Sequence, residues 1–274
     1  MTLLSPGELP RQAIRYRGSK GASVTFDLDV GSAAQNLDPR IGMLPRQPGL
    51  TMRYTLTATR VDVANSTDLR VEFEVLAAAL APESEGRKNT QVAELVVRDS
   101  QRAVHRRGAY VCGPMGERRP KPLPPPDATA RDMDRIEREL AYLTVHFPTD
   151  AVGKGARWET EELVRFQDYE TVERRTYTLV GLDDHVAHVT FETTQRGEAQ
   201  TLDMPGAAGT KIKLLPGSGD GKGDVTHPVG GLIGAGRHDV TLKLSGTSVA
   251  SGGKTEPVAS TLEYNARVVL RDRK

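Results

Sequence analysis

A short pattern occurs twice in this chain and constrains its fold more than any other feature. Lys20-Gly21-Ala22 precedes one alternating stretch of polar and apolar residues, and Lys154-Gly155-Ala156 precedes a second. A Tyr-Thr-Leu run follows each stretch, at 54–56 and at 177–179. Glycine marks a turn, and alternation with a period of two is typical of a half-buried β-strand. The repeat predicts two related halves that each begin with a glycine turn and a strand.

Strand patterns also dominate the rest of the chain. Polar and apolar residues alternate in the stretches 24–30, 53–63, 69–75, 176–180, 186–193, 240–244 and 260–270. The Asn, Ser, Asp and Gly residues between neighbouring stretches favour hairpin turns. We therefore expect a mainly β protein of the α+β type, in which two related halves form a curved antiparallel sheet or half-barrel with one amphipathic helix packed on it.

A proline-rich segment at 121–126 divides the chain. Its sequence, Lys-Pro-Leu-Pro-Pro-Pro, favours extended polyproline and opposes both a helix interior and a central strand. We expect an N-terminal β half at 1–120, a linker at 121–126, and a helix followed by a C-terminal β half at 127–274. A chain of 274 residues is long enough for the two halves to share one core.

The helix predicted after the linker has one apolar side. Asp127 or Thr129 can cap its start. Its apolar residues recur every three or four positions, and polar residues occupy the other side. The apolar set is Met133, Ile136, Leu140 and Leu143, and the polar set is Arg135, Arg138 and Glu139. Such a helix covers one face of a sheet, or it acts as a lid over a ligand cavity.

Charge and hydropathy exclude several kinds of partner. The 37 basic and 36 acidic residues leave a net charge of +1, which provides no field to attract nucleic acid. The longest apolar run, 76–81, is far shorter than the roughly 18 residues that a membrane-spanning helix needs. The first residues lack the features of a secretory leader. We expect a protein that is not transmembrane, and that is cytoplasmic unless a leader has been removed.

Residues that carry chemistry in other proteins lack the context they need here. Cys112 is the only cysteine, which excludes an internal disulfide, and we expect it to be buried rather than nucleophilic. Ser251 and Lys254 have the spacing of a serine–lysine pair, but the two glycines between them oppose the helix that such a pair requires. The glycine-rich stretch 216–236 predicts a flexible linker rather than a phosphate-binding loop. We expect no catalytic residues, no metal and no cofactor.

Three segments carry a resemblance to a known family. They are the stretch from Phe147 to Glu159, the stretch from Arg175 to Gly181, and the opening Ile14-Arg15-Tyr16-Arg17 with Lys20-Gly21. Together they resemble an uncharacterised family of secreted bacterial β proteins that is common among myxobacteria and actinobacteria. The resemblance implies an exported or lipid-anchored envelope protein, with a curved antiparallel sheet similar to that of the lipoprotein-carrier superfamily. It brings no catalytic residues with it.

The predicted function is therefore binding without catalysis. A curved sheet offers a concave apolar face, and a helix that fills it only in part leaves room for a lipid or another apolar ligand. The residues expected to line such a cavity, or otherwise to fill an ordinary core, are Phe26, Leu56, Phe73, Trp158, Leu179 and Phe191. The alternative is a structural or assembly subunit that binds a protein partner in the envelope, with exposed edge strands. A hydrolase ranks last.

Overall fold

Fourteen antiparallel strands form one open sheet in the computed structural model of the chain. The structure describes residues 1–16, 19–38, 42–43, 49–62, 66–88, 90–117, 119, 133, 136–140, 142–166, 169–203, 211–249 and 255–270. The proline-rich segment 121–126, the two proposed helix caps Asp127 and Thr129, and Arg135 lie outside these residues. The mainly β fold is confirmed.

The strands follow one another closely along the chain. They are β1 (Thr2–Ser5), β2 (Ser23–Asp38), β3 (Gly42–Met43), β4 (Thr51–Asp62), β5 (Leu69–Leu80), β6 (Arg107–Cys112), β7 (Arg157–Phe166), β8 (Tyr169–Leu182), β9 (Val186–Gly197), β10 (Gln200–Asp203), β11 (Lys211–Leu214), β12 (Gly217–Pro228), β13 (Ala235–Val249) and β14 (Thr255–Leu270). Within the described residues, all seven predicted strand stretches are confirmed.

The order of the strands joins the two predicted halves into one sheet. Across the sheet it runs β1-β7-β8-β9-β12-β13-β14-β2-β4-β5-β6, with β3 added to β2 and the β10–β11 pair added to β13. The last strand of the chain, β14, pairs with β2 from the first half. One cluster of buried side chains contains residues from both sides of 121–126.

The repeated glycine turns make equivalent hydrogen bonds in the two halves. The N–H of Gly21 donates to the carbonyl of Arg60 at 3.2 Å, and that of Gly155 donates to Leu179 at 2.7 Å. Each opposing residue donates back to the alanine that follows the glycine, at 3.0 and 2.9 Å. Both glycines have a positive φ, +73° and +79°, which favours glycine at these positions. The Tyr-Thr-Leu runs are not equivalent, because Leu179 itself faces its turn whereas Leu56 lies four residues before Arg60.

Two helices lie on the inner face of the sheet, which is the face that carries the core. The first, α1 (Gln91–Ser100), was not predicted; Thr90 caps it by accepting a hydrogen bond from the N–H of Ala93 at 3.2 Å. The second, α2, is the predicted amphipathic helix, with residues 133, 136–140 and 142 helical. Its apolar residues Ile136, Leu140 and Leu143 are buried in the core. Short 3₁₀ turns at Pro82–Arg87 and Gln101–Ala103 flank α1.

The prediction of a flexible linker over 216–236 is wrong, because β12 is an inner strand of the sheet. It is hydrogen-bonded to β9 along one side and to β13 along the other. Its glycines alternate with polar residues, so the inner face of the strand carries no side chain at Gly217, Gly219, Gly221 and Gly223. Side chains from neighbouring strands occupy the space instead. The ring of Phe191 lies where a Cβ at Gly223 would be, and the Tyr169 hydroxyl lies against Gly217.

A side chain at Gly223 is therefore expected to destabilise the sheet. Gly223→Ala places a methyl group against the ring of Phe191 and the carbonyl of Arg237. We expect a loss of about 1–3 kcal/mol in the free energy of unfolding, as is usual for overpacking. Urea denaturation measures this loss. Gly86→Ala is the matched control, because nothing lies within 4 Å of a Cβ at that exposed position. Equal stability of the two variants would contradict this account of β12.

Candidate ligand-binding site

The six residues predicted to line a cavity all lie in the main core. Trp158 stacks on Tyr177 with ring centroids 5.3 Å apart, and Tyr177 contacts the ring of Phe191 at 5.7 Å. Phe26 and Leu56 are directly opposite each other on β2 and β4. Phe73 on β5 and Leu179 on β8 are buried in the same cluster. The structure packs these side chains together as core, and their contact with a ligand remains a prediction.

The inner face changes from apolar to polar along β8 and β9. Tyr177 and Phe191 form the last aromatic pair of the core. The next inward-facing pair on the two strands is Arg175 with Thr193, and the one after that is Glu173 with Gln195. All four of these polar side chains are at most 4% exposed. Buried charges need partners, because removing a charge from water is costly.

The guanidinium of Arg175 connects these polar residues to α2. Its Nε donates to Oε1 of Glu173 at 2.6 Å, and its Nη1 donates to the carbonyl of Tyr142 at the end of α2, at 2.7 Å. The amide of Gln195 donates to the other carboxylate oxygen of Glu173 at 2.7 Å. Burial alone lowers the pKa of Arg175, but the negative charge of Glu173 and its acidic neighbours outweighs burial and raises it. Arg175 therefore stays charged.

A second buried pair attaches α2 to β13. Nε2 of His238 lies 3.0 Å from Oε2 of Glu139, and the His238 ring stacks on Tyr142 with centroids 5.1 Å apart. Glu139 is 4% exposed, so its predicted place on the polar side of the helix is wrong. The reason is that His238 gives the carboxylate a hydrogen-bonding partner inside the protein. Gln195, His238 and other residues enclose a void of about 10 Å³ beneath α2, which has room for about one water molecule.

Beyond the polar residues the inner face becomes apolar again. Tyr169, Leu214 and Leu242 form a second buried cluster, separate from the main core. Three further side chains, Leu202, Ile212 and Leu244, pack against it and remain partly exposed. We call these six residues the apolar end. It is built by β8, β10, β11 and β13.

The apolar end and the buried polar residues lie on either side of β12, which we call the glycine strand. Gly219 of β12 is paired with Gln195 on one side and with Leu242 on the other. Because Gly219 has no side chain, only its backbone lies between Gln195 and Leu242. The Nη2 of Arg175 and the Nδ1 of His238 are buried and have no hydrogen-bond partner among the described residues. The arrangement places an unpaired guanidinium donor and an unpaired ring nitrogen on the same inner face as the apolar end.

Two other buried groups, Cys112 and His227, are uncharged at neutral pH. Cys112 is 2% exposed, and burial raises the pKa of its thiol to about 12, so the prediction that it is a buried residue is confirmed. His227 lies between the rings of Tyr16 and Phe147, at 4.3 and 5.5 Å. Burial lowers the pKa of His227 to about 4, so its ring is neutral at pH 7.

The described residues meet the requirements of neither a metal site nor a membrane-spanning helix. No three His, Cys, Asp or Glu side chains gather there in a group that could hold a metal ion. None of the helices described is long and apolar enough to cross a membrane. Ser251 and Lys254 lie outside the described residues.

Comparison with known proteins gives no family assignment. The chain matches no family model, and no curated protein matches it significantly. The resemblance to secreted bacterial β proteins therefore stays a prediction.

The buried polar residues were not predicted from the sequence, although a signal exists. In the run from Tyr169 to Leu179 every second residue faces the interior, and that set includes Thr171, Glu173 and Arg175. The residues between them are also mostly polar, so the alternation of polarity disappears. Counting in twos from the buried Tyr177 and Leu179 would have placed Arg175 and Glu173 on the inner face.

Removing the charge of Glu173 is expected to destabilise the protein strongly. Glu173→Gln leaves the guanidinium of Arg175 buried without a counter-charge, which typically costs about 3–5 kcal/mol. Urea denaturation at pH 7 measures the loss. The control is Glu192→Gln, an exposed carboxylate on the outer face of β9. A loss below about 1 kcal/mol at position 173 would mean that this ion pair matters no more than a surface pair.

Acid is expected to destabilise the protein through His227. The folded pKa of about 4 lies below the ordinary 6.5, so the unfolded chain binds the proton more tightly and stability falls as the pH drops below 6.5. Between pH 7.5 and pH 5 this costs about 2 kcal/mol. We expect denaturation of His227→Leu to show a smaller pH dependence by that amount. The same substitution at exposed His185 is the matched control for replacing an imidazole with an apolar side chain. Identical pH profiles for His227→Leu and the wild type would contradict this role.

Proposed function

We propose that this protein binds a ligand without catalysing a reaction, and that it holds an apolar or amphiphilic molecule such as a lipid against the apolar end of its inner face. The observation that carries the proposal is that Leu202, Ile212 and Leu244 stay partly exposed on the face that elsewhere forms the core. Apolar side chains that face inward and remain open to solvent are typical of a ligand surface.

The residues next to the apolar end suit a ligand that has one polar group. Gln195 lies one strand from Gly219, and Leu242 lies on the strand beyond it. An acyl chain along the partly exposed Ile212 and Leu244 would point its polar end towards Gln195 and the charged residues behind it. Apolar contact would supply the affinity, and the polar residues would set the direction in which the chain lies.

The chemistry of the buried groups supports binding over catalysis. The Cys112 thiol stays protonated at pH 7 because its pKa is raised to about 12. His227 contacts aromatic rings rather than a nucleophile. The pair His238 and Glu139 attaches α2 to β13, which is a structural contact. A place in the cell envelope rests on the family resemblance alone and is part of the proposal.

A charged side chain in the apolar end is expected to weaken ligand binding. We would titrate the protein with a dansyl-labelled fatty acid and follow its fluorescence. Ile212→Asp should weaken binding at least tenfold, because it places a carboxylate on the proposed ligand surface. Leu215→Asp is the matched control, since Leu215 lies three residues away and is already 58% exposed. Equal affinities of the two variants, or no binding by the wild type, would contradict the proposal.

The assembly alternative is favoured by a different observation, the exposed apolar pair Leu163 and Val172, which lie opposite each other on the outer face of β7 and β8. A structural subunit needs an accessible strand edge or docking patch rather than a ligand surface. Native mass spectrometry of the protein from its own organism, with lipid analysis of anything bound, separates the two functions. A stoichiometric apolar passenger supports ligand binding, and a ligand-free assembly supports the alternative.

A further inference from the structure

The side-chain amide of Gln195 is held in one orientation by Glu173. Oε1 of Glu173 accepts a hydrogen bond from Nε of Arg175 at 2.6 Å, and Oε2 accepts one from the amide nitrogen of Gln195 at 2.7 Å. An ionised carboxylate accepts hydrogen bonds and cannot donate one. The nitrogen of the Gln195 amide must therefore face Glu173, and the amide oxygen must face the other way.

The amide oxygen of Gln195 lies over the glycine strand. It is 3.2 Å from the position that a Cβ would take at Gly219. No described residue donates a hydrogen bond to this oxygen. Gly217, against which Leu244 of the apolar end packs, lies two residues along the same strand, which is a distance of about 7 Å. An open hydrogen-bond acceptor therefore lies next to the apolar end.

A hydrogen-bond donor lies beside this acceptor. The hydroxyl of Tyr169 lies against Gly217, and no described residue accepts its proton. The void of about 10 Å³ beneath α2 borders both Gln195 and Thr171, and it has room for a single hydroxyl group or water molecule. A ligand group that enters here must donate to Gln195 and can accept from Tyr169. A hydroxyl group does both.

The charged groups around the void are already paired with one another. The carboxylate of Glu173 lies 2.6 Å from Nε of Arg175. That of Glu139 lies 3.0 Å from Nε2 of His238 and 3.6 Å from Nε of Arg138. A ligand carboxylate would have no counter-charge here, and it could not donate to the amide oxygen. An ammonium group would also bring an unbalanced charge into the interior. An uncharged donor avoids both costs.

We propose that the ligand of the apolar end carries an uncharged hydroxyl group at the end of its alkyl or acyl chain, and that Gln195 selects this group. The hydroxyl donates to the amide oxygen of Gln195 and accepts from Tyr169, while the chain lies along Ile212 and Leu244. Long-chain alcohols and monoacylglycerols have such a group, whereas a fatty acid would bind through its chain alone. The inference rests on the proposed function and specifies its ligand class.

A matched pair of ligands tests this selection. Decan-1-ol and its methyl ether have the same chain, but only the alcohol can donate a hydrogen bond. We would measure how each of them, and decanoate, displaces the dansyl-labelled fatty acid at pH 8. The alcohol should bind at least about fivefold more tightly than the ether, which is the gain expected from one hydrogen bond. Apolarity alone predicts the opposite order, because the ether is the more apolar molecule. Decanoate should bind more weakly than the alcohol.

Three variants assign the preference to one residue. Gln195→Met keeps the length of the side chain but removes the amide, so this variant should lose the preference for the alcohol. Tyr169→Phe removes a donor that alcohol and ether both use, so it should weaken both ligands alike and keep the preference. Gln91→Met is the matched control, because Gln91 is an exposed glutamine on α1, and it should alter neither affinity.

The outcomes separate this inference from the function on which it rests. A wild type that binds the ether or decanoate as tightly as the alcohol would overturn the hydroxyl assignment and leave ligand binding intact. A preference that survives in Gln195→Met would overturn the role of Gln195. If Gln195→Met does not fold, the comparison of alcohol and ether on the wild type still decides the ligand class. If neither the dansyl probe nor any of the three ligands binds, both proposals fail.

Discussion

The buried guanidinium of Arg175 joins the sheet to the end of α2. It binds the carboxylate of Glu173 on its own strand, the carbonyl of Tyr142 at the end of α2, and the face of the Tyr142 ring at 4.6 Å. A positive charge at the C-terminal end of a helix also complements the helix dipole. The position of α2 over the sheet therefore depends on a charge that can be buried only because Glu173 accompanies it.

The second polar attachment of α2 shows why the interior is divided. The apolar side of the helix packs into the main core, while Glu139 and Tyr142 contact His238 on β13. Polar contacts of this kind are directional, so they fix the rotation of the helix more precisely than apolar contacts do. Apolar packing gives the helix its affinity for the sheet, and the buried pairs give it one orientation. The apolar end lies beyond this boundary, outside the main core.

The strands were largely predictable, and the interior was not. Alternation located β4 and β5 because one face of each strand is apolar for most of its length, and it located β8 and β9 through the apolar part of their inner face, which includes Tyr177, Leu179 and Phe191. It failed at β12, where glycines take the place of inward-facing apolar residues and the sequence looks like a linker. It failed again at Arg175 and Glu173, since their burial depends on contacts with α2 and β9 as well as with each other. Local pattern shows which residues share a face, but only the fold shows which face is buried.

The pairing of Phe191 with Gly223 has a consequence for how this sequence can change. The ring of Phe191 fills the space that a side chain at position 223 would need. The two positions therefore share one volume across neighbouring strands, and neither can grow unless the other shrinks. In related chains a larger residue at 223 should be accompanied by a smaller one at 191. The same exchange should link position 217 to Tyr169, so the glycine strand would be recognisable by correlated substitutions in its neighbours.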